Sequence, residues 1–171
     1  MSRAEQQSLE LPEQLYLDTQ FCFAYLVESD PDHEAAADLS IVLKQLCATN
    51  LATCHFSILA LEELAWTVGG FLFDRDNGQG AWRRASKARA FHSVKDETAH
   101  VIRDFMAEEW ISVLAVRDTV YSKACGWLLK YDLKPADLCH MVLASTVNAG
   151  IVSNDGDFHR IARPPVEVIG Y

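Results

Sequence analysis

Along the chain, short apolar runs alternate with longer stretches in which apolar residues recur every three or four positions. The short runs are Leu15-Tyr16-Leu17, Leu51 to Phe56, Trp110 to Leu114, Ala149 to Ser153 and Val166 to Ile169. Each is bounded by turn formers or by a helix start, so each reads as a buried strand. The periodic stretches predict helices. One begins at Phe21, with Phe21, Tyr25 and Leu26 on one side, and Ser29-Asp30-Pro31-Asp32 breaks the chain after it. Glu34 to Ala48 buries Ala35, Leu39, Val42, Leu43 and Leu46; Ile58 to Val68 buries Leu61, Leu64, Ala65 and Val68, with Ser57 as its N-cap. Gly69 and Gly70 are expected to stop that helix, leaving 71–80 irregular. Ala81 to Met106 reads as mostly helical, Asp118 to Lys130 as another helix, and Pro135 sits in the first turn of a helix that reaches about Asn148. Strands alternate with helices throughout, which predicts a mostly parallel sheet flanked on both faces by helices.

That alternation gives the acidic residues meaning. Asp18 follows the first strand, and Asn154-Asp155-Gly156-Asp157 is the turn that ends the fourth. Both therefore fall at the carboxyl edge of a parallel sheet, where open α/β sheets bind ligands. Asp137 lies in the first turn of a helix, whose positive end favours a carboxylate. Glu62 and Glu63 lie near the start of the helix after Ser57. Adjacent helical residues point about 100° apart, so one of the two reaches a common site, and periodicity does not choose between them. Each acid alone also reads as a cap or a solvated turn. Several carboxylates brought together repel one another unless cations intervene. Hard divalent ions with oxygen ligands, Mg2+ or Mn2+, resolve that repulsion, and the chemistry they support is attack of water on a phosphodiester. His140 reads as a packed, hydrogen-bonded helix residue, imidazole being a poor Mg2+ ligand.

Composition narrows the picture further. The chain has 171 residues and is 50% hydrophobic, which fits one domain with a sizeable core and no internal boundary. No apolar run approaches the roughly 20 residues of a membrane span, and Met1 to Glu10 lacks the apolar core of a secretory leader, so a cytoplasmic location without a membrane is expected. Five scattered cysteines form no metal-type pair and read as buried free thiols. Net charge is −9, against a general nucleic-acid coat protein. Within that acidic chain, Asn77 to Lys95 carries Arg83, Arg84, Lys87, Arg89 and Lys95 and no acid. This reads either as a solvated helix face or as an arm contacting phosphates.

Four segments occur in order: Leu15-Tyr16-Leu17-Asp18-Thr19, Ser57-x5-Glu63-Leu64, Asp137-Leu-Cys-His140-Met-Val-Leu-Ala144, and Ser153-Asn154-Asp155-Gly156-Asp157-Phe158. Together they resemble the PIN domain, the fold of VapC-type ribonuclease toxins and related RNA-processing nucleases. The resemblance runs from about residue 15 to 169. It implies a three-layer α/β/α sandwich and a Mg2+- or Mn2+-dependent endoribonuclease acting on RNA, the toxin of a toxin–antitoxin pair. A housekeeping RNA-processing nuclease and a catalytically idle binding domain of the same shape are the alternatives. It places the catalytic, metal-holding acids at Asp18, Glu63, Asp137 and Asp155, with Asp157 auxiliary and Thr19 and Asn154 as polar supports. It selects Glu63 over Glu62 because the family's acid precedes an apolar residue, as Glu63 precedes Leu64. It also implies an antitoxin partner and a homodimer. Two features depart from the pattern: Gln20 stands where an Asn is common, and the segment of about 69–107 is a long helical insertion relative to compact toxins. A phosphotransferase with an Asp-x-Asp pair is disfavoured, because Asp18-Thr19-Gln20 lacks the second acid.

Overall fold

The computed structural model describes residues 11–171; the stretch from Met1 to Glu10, read above for a leader, lies outside them. Five strands form one sheet: β1 (Gln14–Leu17), β2 (Thr53–Ser57), β3 (Ile111–Leu114), β4 (Gly150–Val152) and β5 (Val168–Ile169). Their order is β3-β2-β1-β4-β5, and every pairing is parallel. Among the described residues the eight helices are α1 (Thr19–Leu26), α2 (His33–Ala48), α3 (Ile58–Asn77), α4 (Ala81–Arg84), α5 (Lys87–Met106), α6 (Asp118–Leu128), α7 (Pro135–Thr146) and α8 (Gly156–His159).

The pleat of β1 divides the core in two. Leu15 and Leu17 face a cluster with Phe21, Leu43, Phe56, Leu64, Val68 and Phe105, drawn from α1, α2, β2, α3 and α5. Tyr16, one residue out of phase, faces Val120, Leu138, Met141 and Phe158 on the side of α6 and α7. A fully buried central strand between two helical layers is the three-layer sandwich that the alternation required. Among the described residues, no helix is long and apolar enough to cross a membrane.

Several boundaries differ from the sequence reading, for identifiable reasons. Gly69 and Gly70 do not stop α3, which runs on to Asn77. A Cβ on Gly69 would stand 2.8 Å from the Phe91 ring of α5, and one on Gly70 would stand 3.1 Å from Trp82. The glycines are there for close approach, and that packing offsets their poor helix propensity of about 1 kcal/mol each. Residues 71–77 are consequently helical rather than irregular. The second strand starts at Thr53, not Leu51. Asn50 takes a left-handed backbone with φ of 56°, and the amides of Leu51 and Ala52 both bond back to the Leu46 carbonyl. Those residues close α2 instead of extending β2. Val42, placed on the buried stripe of α2, is 45% exposed, and of the five thiols only Cys22 and Cys54 are buried, while Cys125 is exposed.

Candidate active site

The chain leaves β1 towards β2 and β3 on one side and returns to place β4 and β5 on the other. The order reverses between β1 and β4, and the crevice at their carboxyl ends is where such sheets bind ligands. Asp18 stands at the end of β1 and Ser153-Asn154-Asp155 at the end of β4. The Asp18 amide donates to the Val152 carbonyl at 3.2 Å, extending the pairing to this edge. Asp18 is 5% exposed, and its side chain makes no capping bond to α1. It accepts instead from Ser153 Oγ at 2.7 Å, and that same oxygen accepts from the Asp155 amide at 3.0 Å. Ser153 thus ties the two acids' strands together. The Asp155 carboxylate accepts from the Asp157 amide at 2.8 Å and opens α8, so the Asn-Asp-Gly-Asp turn continues into a helical turn.

Glu63 enters from α3, whose start is fixed by Ser57 Oγ accepting from the Ala60 amide at 3.2 Å. Its Oε2 accepts from Thr19 Oγ1 at 2.9 Å and bonds His140 Nε2 at 2.9 Å. Glu62 is exposed. His140, only 1% exposed, bonds Tyr16 Oη at 2.7 Å through Nδ1, and Tyr16 Oη reaches Ser57 Oγ at 2.6 Å. The result is a relay from Ser57 through Tyr16 and His140 to Glu63 and Thr19. His140 is a packed, bonded helix residue, as its position suggested, but it also orients an acid of the site.

Burial and neighbouring charge set the ionisation of these groups. Burial works against a charged His140, yet the hydrogen bond to Glu63 and the charges of Asp18, Glu63 and Asp137 outweigh it and hold its pKa above the usual imidazole value. The His140 bond in turn holds Glu63 below the usual carboxylate range, against its partial burial. Burial pushes Asp18 up, opposed by His140 and Ser153. Asp137, in the first turn of α7, is also pushed up by burial, opposed by Lys134, while the charges of Asp155 and Asp18 push it further up. The charges of Asp18 and Asp155 acting on Asp137 are what carboxylates brought towards one another exert.

Asp137 supplies the sharpest sign of a missing partner. Its Oδ2 is buried and has no hydrogen-bond partner among the described residues. Such an orphan is costly unless something fills it. Among the described residues, no three His, Cys, Asp or Glu side chains stand close enough to enclose an ion by themselves. A spread set of oxygen donors fits a hard cation that keeps much of its water and uses few carboxylates, which is the habit of Mg2+.

Two other residues named from the sequence have partners of their own. Asp157 pairs with Lys134 Nζ at 2.7 Å and with Arg160, at 17% side-chain exposure. Asn154 accepts from the Tyr171 amide and donates to the Tyr171 carbonyl, both at 3.0 Å, fastening the chain end beside the site. Of the basic arm, Arg83, Arg84 and Arg89 are exposed, whereas Lys87 turns back onto the Trp82 carbonyl and lies 4.8 Å from its ring centroid. The arm adjoins the site through aromatic packing. Trp66 lines a cleft of about 510 Å³ with Glu62, Glu63, Pro135 and His140; it meets the Trp82 ring edge-on at 5.0 Å and stacks on Phe91 at 5.4 Å. Sequence reasoning assigned Tyr16 and Trp66 no role at the site; Tyr16 and Ser153 were quoted only as members of motifs, and Trp66 belongs to none.

Comparison with known proteins agrees with this architecture. No curated protein matches the chain by sequence. Among solved structures, the Mycobacterium tuberculosis VapC20, described as a sarcin-ricin loop cleaving toxin, matches at 20% identity and a TM-score of 0.52, covering 88% of this chain and 99% of its own. The VapBC2 of Rickettsia felis, solved bound to a DNA fragment from the VapBC2 promoter, matches at 17% identity and a TM-score of 0.59, covering 92% of this chain and 98% of its own. The PIN domain family model matches residues 15–164, and the chain belongs to the PIN domain family.

Proposed function

We propose that the protein is a divalent-metal-dependent endoribonuclease, the toxin of a toxin–antitoxin pair, acting at the carboxyl edge of β1 and β4. Asp18, Glu63, Asp137 and Asp155 would hold the ion, Mg2+ or Mn2+, partly through its bound waters, since no three of the described acids stand close enough to enclose it directly. The orphaned Asp137 oxygen beside the Asp18 and Asp155 charges carries the reading. When bound, such an ion lowers the pKa of water and neutralises charge developing on a phosphodiester. The chain's own groups do the rest. Ser153 fixes the Asp18 carboxylate, and Thr19 and His140 fix Glu63. The exposed Arg83, Arg84 and Arg89 neutralise RNA phosphates on approach, in keeping with an arm that abuts the Trp66 cleft. An antitoxin silences the enzyme by covering the acidic crevice. The test is cleavage of single-stranded RNA with Mg2+ or Mn2+, then with EDTA, then with the metal restored. Cleavage that stops and returns supports the reading; undiminished cleavage in EDTA overturns it.

A further inference from the structure

Pro135 lines the Trp66 cleft, and its chain neighbour Lys134 lines a second groove, of about 980 Å³, together with Lys130, Tyr131, Asp157, Arg160 and Arg163 among others. Four cations meet two acids there, Asp132 and Asp157, in a chain whose overall charge is −9. Asp18, Glu63, Asp137 and Asp155 do not line the groove, but two of its residues are close to them along the chain. Lys134 caps α7, three residues before Asp137, and Asp157 follows Asp155 by two. Asp157 is largely buried and carries two cations, Lys134 and Arg160, whose side chains are 70% and 75% exposed. A carboxylate already balanced by two cations is a poor candidate for a metal ligand. It is well placed to hold both cations facing the groove with their remaining donors directed outward.

We infer that this groove binds the phosphodiester backbone of RNA next to the scissile phosphate, with Lys134, Arg160 and Arg163 as its phosphate contacts, and that Asp157 is a positioning residue for Lys134 and Arg160 rather than a metal ligand. The inference rests on the ribonuclease reading above. Single-stranded nucleic acid is tracked by positively charged grooves of this kind. The aromatic cleft and the cationic groove, which adjoin at Lys134-Pro135, give a bound strand two distinct surfaces. Bases stack against Trp66, 44% exposed, and phosphates run past Lys134 and Arg160.

The experiment uses the full chain carrying Asp18→Asn, so that RNA is bound and not consumed. Binding of a fluorophore-labelled single-stranded RNA is measured across a range of salt concentrations. Each lost phosphate contact reduces the slope of log affinity against log salt by about 0.7, so Lys134→Ala/Arg160→Ala is expected to reduce it by about 1.4. Arg103→Ala/Arg117→Ala removes the same charge from exposed positions that do not line the groove, and is expected to change the slope much less. An unchanged slope in the groove variant, or an equal change in both, overturns the inference. Asp157→Asn, in the otherwise wild-type chain, is expected to raise KM for RNA with kcat little changed, and to leave Mn2+ affinity by calorimetry as in the wild type. Weakened Mn2+ binding in that variant overturns the positioning role. Lys134→Ala and Arg160→Ala as single variants each leave Asp157 one cation and are each expected to reduce the slope by about 0.7, so the salt slope decides even if Asp157→Asn melts. If the wild type lacks EDTA-sensitive cleavage, the ribonuclease reading falls; if it cleaves normally while the salt slopes agree, only the groove falls.

Discussion

At the scale of single residues, the polar relay behind Glu63 distinguishes this site from a patch of surface acids. Tyr16 is fully buried and gives both its hydroxyl contacts to the relay, at 2.6 Å to Ser57 and 2.7 Å to His140. Tyr16→Phe leaves the His140 Nδ1 without that partner in a dry interior. Urea unfolding is expected to register a loss of about 1–3 kcal/mol. Cleavage falls with it, because His140 no longer has a fixed orientation towards Glu63; unchanged stability and rate would show the relay to be incidental. The Glu62 and Glu63 variants make a second comparison. Glu63→Gln is expected to lose nearly all cleavage at saturating Mn2+, and Glu62→Gln to keep most of it. If Glu62→Gln is the inactive one, the acid of this helix has been assigned one residue out of register. Asp18 and Asp155 were legible in the sequence because each follows an apolar run at a turn. Periodicity left Glu62 and Glu63 open, and only the family resemblance chose Glu63; the contacts that support that choice, with Thr19 and His140, lie 44 and 77 positions from it. Tyr16 and His140 lie 124 positions apart, so nothing local announces their bond.

At the scale of elements, the part of the chain least legible in the sequence is the junction of α3, α4 and α5. Local propensity made the Gly69-Gly70 pair a helix end, yet tertiary packing made it a contact surface for Phe91 and Trp82. Gly69→Ala tests this. Helix propensity alone predicts a gain of about 1 kcal/mol, whereas forcing a methyl against Phe91 costs about 1–3 kcal/mol. Net destabilisation, with a changed Trp66 emission as Phe91 moves, is the expected result; a stabilised protein would return the pair to a simple helix end. The loop leading into α4 is held by Asp74, whose carboxylate accepts from the Trp82 amide at 2.6 Å and the Gly80 amide at 3.1 Å. The Trp82 bond chiefly holds its pKa below the usual range. A carboxyl group with a depressed folded pKa stabilises above its unfolded value of about 3.9 and loses that contribution as pH falls through the folded value. The Gly80 and Trp82 amides are therefore expected to stay protected from hydrogen exchange at neutral pH and to lose protection below about pH 4. Asp74→Asn should already have lost it at neutral pH.

At the scale of the whole molecule, strand–helix alternation was enough to predict a parallel sheet between two helical layers, because a strand apolar on both faces must be covered on both. The strand order was not legible. It depends on where the chain crosses back from β3 to β4, and that crossing creates the crevice at whose edge Asp18 and Asp155 both stand. Asp18 therefore has two competing descriptions, helix cap and metal ligand, and the absence of a capping bond to α1 favours the second. Asp18→Asn keeps the side chain's shape and its acceptor for Ser153 while removing one of the repelling charges. The decisive measurement compares RNA cleavage by wild type and Asp18→Asn in Mn2+, alongside their metal-free melting curves. The expected result is no cleavage by the variant and a melting midpoint equal to or above that of the wild type, since repulsion in the crevice drops. Cleavage at the wild-type rate would contradict a metal site at this edge of the sheet.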